Sequence, residues 1–142
     1  MSLEISPEVL RAIHAHGEQA YPEEGAGLLL GERQGERKRV VAILPLSNAR
    51  EDGYRHNRYL LTPQDYLRGE QEAERRNLEV LGVFHSHPDH PNQPSTYDLE
   101  WALPGFSYLI TSVWSAKATE SRAWYLNDDR SGFIEEPLTL LA

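Results

Sequence analysis

Two short apolar segments constrain the fold of this chain most. Residues 25–31 (Gly-Ala-Gly-Leu-Leu-Leu-Gly) form an apolar run bounded by glycine, and residues 79–85 (Glu-Val-Leu-Gly-Val-Phe-His) are the most apolar strand candidate. Apolar runs of this length, close to turn signals, are typical of buried strands. We therefore predict that both segments are buried strands of one sheet.

The remaining pattern predicts helices between these and other strands. Ser6-Pro7-Glu8 and Thr62-Pro63-Gln64 are typical of helix starts, with a capping hydroxyl followed by proline. The predicted helices run from residue 6 to about 22, from 62 to about 77 and from 95 to 103. Further strands are predicted at 40–44, 59–61, 108–113, 123–126 and 133–135, with loops or turns at 47–57, 86–94 and 115–121. This order predicts a mixed α/β (α+β) domain whose central mixed β-sheet is flanked by helices.

Length and charge limit the class of protein. The 142 residues fit a single domain, expected to cover residues 1–142, and 39% of them are apolar, enough for one core. The 22 acidic residues outnumber the 14 basic ones, which gives a formal charge of −8 and argues against a nucleic-acid partner. No segment is apolar enough for a membrane span and no signal-peptide pattern is present, so we expect no membrane partner and a cytoplasmic location.

The chain contains no cysteine, which limits the chemistry of any site. A disulfide framework, a thiol nucleophile and a zinc site with Cys ligands are all excluded. A metal site in this chain must therefore use histidine and carboxylate ligands.

His85 and His87 stand at the end of the second apolar segment, directly before Pro88. Side chains at positions i and i+2 of an extended chain point to the same face, so both imidazoles can converge on one ion while Ser86 points the other way. Pro88 keeps His87 extended and is expected to end the strand. Two neutral imidazoles and a carboxylate such as Asp98 suit Zn²⁺ and leave a fourth position open, as in catalytic zinc sites.

Each half of this pattern also has an ordinary explanation. The chain has six histidines, and histidine is common on protein surfaces. Ser95-Thr96-Tyr97-Asp98 matches a helix N-cap with an acidic residue at the third helical position, as in a capping box. The two interpretations are compatible, because a cap fixes where the helix begins and can thereby direct Asp98 toward the histidines.

Taken together, these residues match the signature of the JAMM (MPN+) zinc metallopeptidases. That signature has an upstream glutamate, then His-Ser/Thr-His-Pro, about six or seven residues, and Ser-x-x-Asp; residues 85–88 and 95–98 match it. Residues 22–31 resemble the glutamate segment of the family, so the resemblance covers about residues 21–113. The chain is most similar to prokaryotic stand-alone JAMM domains, and this implies a JAMM/MPN-type fold related to cytidine deaminases.

The resemblance also implies which glutamate belongs to the site. In the family this glutamate lies about three residues before the first glycine of the following strand. Carried over to Gly27, the position is Glu24, with Glu23 as the second choice. Where the family often has Cys or Met before that glycine, this chain has Ala26, at a position that is not catalytic in the family.

The roles of the site residues follow from the same resemblance. His85, His87 and Asp98 would bind one catalytic Zn²⁺. Glu24 would act as the general base toward water and later pass the proton to the leaving amine. Ser95 would donate a hydrogen bond to the oxyanion, and we expect Ser86 to support the site.

The implied activity is zinc-dependent hydrolysis of an amide bond after the Gly-Gly tail of a ubiquitin-like or sulfur-carrier protein, as a metallopeptidase or isopeptidase. A Gly-Gly segment has no side chains, so it can enter a narrow groove and pair with a strand edge. Residues 47–57 and 89–92 are the expected groove walls, with His90 as a candidate lining residue.

Three other functions fit the sequence less well. A non-catalytic MPN-type scaffold would usually have lost metal ligands, whereas none is missing here. A zinc deaminase needs Cys ligands, which the chain lacks. A role with nucleic acid conflicts with the acidic composition. The sequence leaves the oligomeric state open.

Overall fold

The computed structural model describes residues 2–50 and 53–141. Within these residues, eight strands form one mixed sheet. The strands are β1 (Ser2–Ile5), β2 (Ala26–Gln34), β3 (Arg37–Leu46), β4 (Glu79–Pro88), β5 (Ser107–Trp114), β6 (Lys117–Leu126), β7 (Phe133–Glu136) and β8 (Leu138–Leu140), and the helices are α1 (Pro7–Ala20), α2 (Pro63–Arg75) and α3 (Thr96–Trp101). The strand order is β7-β6-β5-β4-β2-β3-β1-β8. The pairs β4–β5, β1–β3 and β1–β8 are parallel and the others antiparallel, which confirms the predicted mixed sheet.

The two faces of the sheet carry separate apolar layers. Because side chains alternate along a strand, Val83 of β4 joins one cluster and Phe84 joins the other. The first cluster includes Ala73 of α2, and the second includes Ile13 of α1. The sheet is therefore covered by a helix on each face, and the two histidines of β4 lie on the same face as Val83.

Gly17 allows α1 to approach β4 and β5 closely. A Cβ atom at this position would lie 3.2 Å from both Ser86 Cβ and Val113 Cγ2. These contacts are tighter than ordinary van der Waals distances, so a larger side chain would push the helix away from the sheet. The glycine that interrupts the helical pattern thus serves packing.

The last two strands occupy both edges of the sheet. β7 pairs with β6 at one edge, and directly after Pro137 β8 pairs with β1 at the other. A buried polar chain also connects β3, β5 and β7: Lys38 Nζ donates to Ser107 Oγ at 2.7 Å, and Ser107 Oγ donates to Glu136 Oε1 at 2.6 Å. Burial lowers the pKa of Lys38, and the charge of Glu136 opposes that shift.

The short strand predicted at residues 59–61 is wrong. Tyr59 and Leu61 are buried as expected, but the segment is not part of the sheet. The Leu60 N–H donates to Asn48 Oδ1, and the Leu60 carbonyl accepts from the Ala49 N–H. The backbone is thus satisfied by the neighbouring loop rather than by a strand.

Two predicted loop boundaries are also wrong. β4 continues through Pro88, because its pairing with β5 extends to that residue, whereas its pairing with β2 stops at His85. The missing N–H of Pro88 therefore faces the side where no strand is paired. β6 begins at Lys117 rather than at 123, because Ser115 and Ala116 alone make the turn, with φ of 49° and 69° as two-residue hairpins require.

Two short strands at the ends of the chain, β1 and β8, were not predicted. None of the described helices is long and apolar enough to cross a membrane.

Candidate metal centre

Strand β4 holds the two histidines in the interior. His85 is paired with Ala26 of β2 on one side and with Ile110 of β5 on the other, and it is 1% exposed. His87 pairs with Ser112 of β5. The two imidazole rings lie on one face with their centroids 5.1 Å apart, as the spacing requires. Strands on both sides fix the backbone of His85, whereas among the described strands only β5 pairs with the backbone of His87.

Helix α3 brings Asp98 to the same place. Ser95 caps this helix: its Oγ accepts from the Asp98 N–H at 3.0 Å, and Asp98 Oδ2 accepts from the Ser95 N–H at 2.9 Å. Asp98 Oδ2 also lies 3.2 Å from His87 Nε2, and Oδ1 lies 3.8 Å from His85 Nε2. Asp98 therefore takes part in the helix cap and faces the two histidines at the same time.

The protonation equilibria reflect this clustering. Burial alone would raise the pKa of Asp98, but the charge of His85 and the hydrogen bond from His87 lower it to about 2. Burial likewise opposes the charged form of His87, but the hydrogen bond to Asp98 and the charge of Glu24 raise its pKa above the ordinary value. The two shifts therefore favour an ionised Asp98 carboxylate beside a protonated His87 imidazole.

Glu24 and Glu23 differ sharply in environment. Glu23 is exposed, whereas Glu24 is 4% exposed and its Oε1 lies 3.5 Å from His85 Nδ1. The backbone of Glu24 is held by two further contacts: its N–H donates to the Arg55 carbonyl at 2.6 Å, and its carbonyl accepts from Asn48 Nδ2 at 3.1 Å. Glu24 is thus the one of the two glutamates that faces the histidines.

Ser86 links the histidine strand to the glutamate segment. Its Oγ accepts from the Gly25 N–H at 2.8 Å, and its N–H donates to the Gly25 carbonyl at 3.0 Å. Because Gly25 follows Glu24 directly, this pair of hydrogen bonds fixes the glutamate relative to the neighbouring histidines.

Three buried polar atoms of this cluster have no hydrogen-bond partner within residues 2–50 and 53–141: Glu24 Oε1, His85 Nδ1 and His85 Nε2. Buried polar atoms without partners are costly, so they mark a place where a ligand is expected. Glu24, His85 and His87 each offer a ligand atom within 4.8 Å of the others. His87 Nδ1 is bonded to the Pro91 carbonyl at 2.8 Å, which leaves His87 Nε2 directed at the cluster. These residues can bind a metal ion.

The cluster opens into a groove of roughly 490 Å³. Glu24, His87 and the exposed Ser95 line it, together with His90 and Asn57 from the two predicted wall segments. Most of the predicted wall at 47–57 lies elsewhere, since only Asn57 among the described residues of that segment lines the groove, and a separate pocket is lined by Arg50, Gly53, Arg55 and His56. Of the second predicted wall, Asp89 accepts from the Tyr21 hydroxyl, and Asn92 is buried and donates to the Glu120 carbonyl.

Sequence reasoning missed two residues beside the cluster. Tyr59 stacks on His85 with a centroid distance of 4.5 Å, and Arg58 lines the groove. The alternation of Tyr59 and Leu61 marks Tyr59 as a core residue, but no local signal places it against a histidine. Arg58 has no signal in the sequence.

A mixed sheet with a helix on each face defines an α/β domain, and its buried cluster of histidine and carboxylate side chains at a groove could hold a metal ion. The chain belongs to the family described as prokaryotic homologs of the JAB domain, whose model matches residues 6–127. This confirms the resemblance to JAMM/MPN domains.

Individual relatives agree with this assignment. The chain is 33% identical over 102 residues to a probable TtuB-protein conjugate cleaving protease of Thermus thermophilus, covering 72% of this chain and 64% of the relative. It is 50% identical over 72 residues to a desampylase of Pyrococcus furiosus, covering 48% of this chain and 46% of the relative. These matches thus span less than two thirds of either relative. A solution structure of a protein from Desulfitobacterium hafniense has a TM-score of 0.85 at 30% identity, covering 98% of this chain and 92% of that one.

Proposed function

We propose that this chain is a zinc-dependent metallopeptidase or isopeptidase. It would hydrolyse the amide bond after the Gly-Gly tail of a ubiquitin-like or sulfur-carrier protein, in the cytoplasm, as a single domain covering residues 1–142. The observation that carries the proposal is the convergence of four buried side chains at the groove: Glu24, His85, His87 and Asp98.

The positions of the ring nitrogens support separate roles for the two carboxylates. Asp98 lies beside Nε2 of both His85 and His87, which supports the proposal that these three residues are the ligands of zinc. Glu24 lies beside the other ring nitrogen of His85, Nδ1. In this proposal Glu24 is the base and not a ligand.

Bound zinc would act as a Lewis acid and would make water nucleophilic near neutral pH. Glu24 would accept a proton from the attacking water at its carboxylate and donate it to the leaving amine. Ser95 Oγ already accepts from the Asp98 N–H, so its own O–H proton is available to donate to the developing oxyanion. Ser86 would keep Glu24 in place through Gly25.

The names of the two relatives support a protein conjugate as the substrate, since one is a conjugate cleaving protease and the other a desampylase. A tail of two glycines suits the groove, because the backbone can approach the buried cluster without side chains in the way.

Zinc content and cleavage test the proposal directly. We expect the purified protein to bind about one zinc per chain and to release the C-terminal extension from a Gly-Gly-tailed ubiquitin-like fusion, as followed by mass spectrometry. A chelator should stop cleavage and added zinc should restore it. Zinc binding without cleavage across several carriers would favour the non-catalytic scaffold instead.

The role of Glu24 is tested separately, because the same residue could complete a ligand set with the two histidines. Replacement of Glu24 by Gln should leave the zinc content unchanged if it is the base. A loss of zinc in that variant would make Glu24 a ligand and overturn the assignment.

A further inference from the structure

Arg58 occupies a fixed position in the groove beside the metal cluster. It lines the groove together with Glu24 and His87. Its guanidinium carbon lies 4.5 Å from the ring centroid of Tyr54 and 5.0 Å from that of Tyr97. Two aromatic rings therefore hold the cation by cation–π contacts, which orders a side chain that would otherwise be mobile.

The backbone of Arg58 is tied to that of Glu24. Asn48 Nδ2 donates both to the Glu24 carbonyl at 3.1 Å and to the Arg58 carbonyl at 3.0 Å. One amide group thus holds the backbone carbonyls of the arginine and the glutamate close together. A group held by Arg58 would have a defined position relative to the Glu24 carboxylate.

Arg58 also lacks a carboxylate partner within the described ranges 2–50 and 53–141. Some arginines elsewhere on the molecule do have a carboxylate partner: Arg37 Nη2 lies 2.6 Å from Glu4 Oε2, and Arg75 Nη2 lies 2.6 Å from Glu72 Oε1. A guanidinium presents five N–H donors in a planar fork that matches a carboxylate. The donors of Arg58 are thus available to a group that enters the groove.

From these contacts we infer that Arg58 binds a carboxylate of the substrate on the leaving-group side of the cleaved bond. The inference rests on the proposed function, in which Glu24 donates a proton to the leaving amine, so the leaving group must lie near Glu24. The carboxylate has two sources of the same chemistry. It is either the terminal carboxylate of a single residue attached after Gly-Gly or an acidic side chain at that position.

Peptide binding separates these sources. The ligands are a peptide ending in Gly-Gly-Ala with a free terminal carboxylate, the same peptide as a terminal amide, and an amidated peptide ending in Gly-Gly-Asp. Affinities are measured by calorimetry on zinc-loaded protein carrying Glu24→Gln, so that no peptide is consumed. We expect at least one carboxylate peptide to bind about 10- to 100-fold more tightly than the Gly-Gly-Ala amide, as hydrogen bonds between charged groups typically give.

Arg58→Gln, added to the same protein, should remove this preference and leave the affinity for the Gly-Gly-Ala amide unchanged, which shows that the groove is intact. Arg11→Gln is the matched control, because it removes the same charge from an exposed position on α1, across the sheet. A preference for the free acid identifies the terminal carboxylate as the source, and a preference for the Asp peptide identifies the side chain.

Equal affinities for all three peptides, no binding at millimolar concentration, or a preference that persists in Arg58→Gln would overturn the inference. Cleavage of the Gly-Gly-tailed fusion by the wild-type protein is measured in parallel. Cleavage without an effect of Arg58 sinks the inference and leaves the proposed function standing. An Arg58-dependent preference without cleavage would show that Arg58 binds a carboxylate in the groove and would overturn the proposed function.

Discussion

Helices α2 and α3 begin with the same local structure but differ in what surrounds it. In α2 the Asp65 N–H donates to Thr62 Oγ1 at 3.1 Å and Asp65 Oδ2 accepts from the Thr62 N–H at 2.8 Å. In α3 the corresponding distances between Asp98 and Ser95 are 3.0 and 2.9 Å. By hydrogen bonding alone the two capping boxes are equivalent.

The neighbours make the difference. Asp65 is half-buried at the start of a 13-residue helix, with no histidine in contact among the described residues. Asp98 is 5% exposed and faces two imidazoles carried by β4. The same motif therefore caps a helix in both places, and only in α3 does it also bring its carboxylate beside two imidazoles at the candidate metal centre. What a capping carboxylate does is decided by the strand beside it.

The largest expected difference between the two helices is in the effect of removing their capping carboxylates. Asp98→Ala should lower metal affinity by more than the roughly 10- to 100-fold typical of residues that only support ligands, and cleavage should fall below detection. Asp65→Ala should cost only about 1 kcal/mol of stability and leave metal content unchanged. Metal analysis and chemical denaturation measure both effects. Equal metal loss in the two variants would show that the effect comes from helix fraying.

The two adjacent glutamates extend the same contrast between buried and exposed carboxylates. Glu24→Gln should reduce turnover by roughly 10²–10⁴, the usual contribution of a general base, while zinc stays bound. Glu23→Gln should leave turnover nearly unchanged, since that side chain is exposed. Steady-state cleavage rates of the two variants measure this difference. A comparable loss in both variants would contradict the assignment of the base.

Removal of the capping hydroxyls should produce a smaller difference between the two helices. Ser95→Ala should cost about 1 kcal/mol of stability as a lost cap and, in addition, about 10²–10³ in turnover as a lost oxyanion donor. Thr62→Ala should show the stability loss alone. Thermal melts and rates at saturating substrate separate the two contributions. A Ser95→Ala variant with normal turnover would reduce Ser95 to a cap.

Acid titration of the metal-free protein should produce the smallest effect. The lowered pKa of Asp98, about 2 against an ordinary 3.8, stabilises the fold above about pH 4, and this stabilisation is lost as the pH falls toward 2. We expect a loss of roughly 2 kcal/mol across that window, measured by urea midpoints. Asp98→Asn should lack this pH dependence and Asp65→Asn should retain it. An identical acid response of the wild type and Asp98→Asn would contradict the pairing with the histidines.

The sequence predicted the parts of the site that depend on local spacing. The i, i+2 histidines need only an extended strand, and the cap at Ser95 needs only a helix start, so both followed from neighbouring residues. Glu24 required the family resemblance, because nothing local distinguishes it from Glu23. Arg58 could not be predicted, because its position depends on Asn48 and on two tyrosines. Tyr54 lies in the same loop, and Tyr97 is distant in sequence.

The same limit explains the errors in the fold. Residues 59–61 have the composition of a strand, yet the hydrogen bonds of Leu60 go to a loop at Asn48 that no local pattern reveals. Likewise β4 extends to Pro88 only because β5 lies alongside it. Composition predicts burial well, whereas backbone pairing depends on partners that the sequence does not identify.

The pairing of β1 with β8 has a consequence for the kinetics of folding. Leu3 lies opposite Leu138, so this contact closes a loop that contains nearly all of the described chain. Contacts across such long loops carry a high entropic cost and form late, after the central strands have assembled. A substitution that weakens β8 should therefore accelerate unfolding and leave the refolding rate almost unchanged. We expect the β1–β8 pair, three and four strands away from β4 in the sheet order, to affect the lifetime of the native state through the unfolding rate.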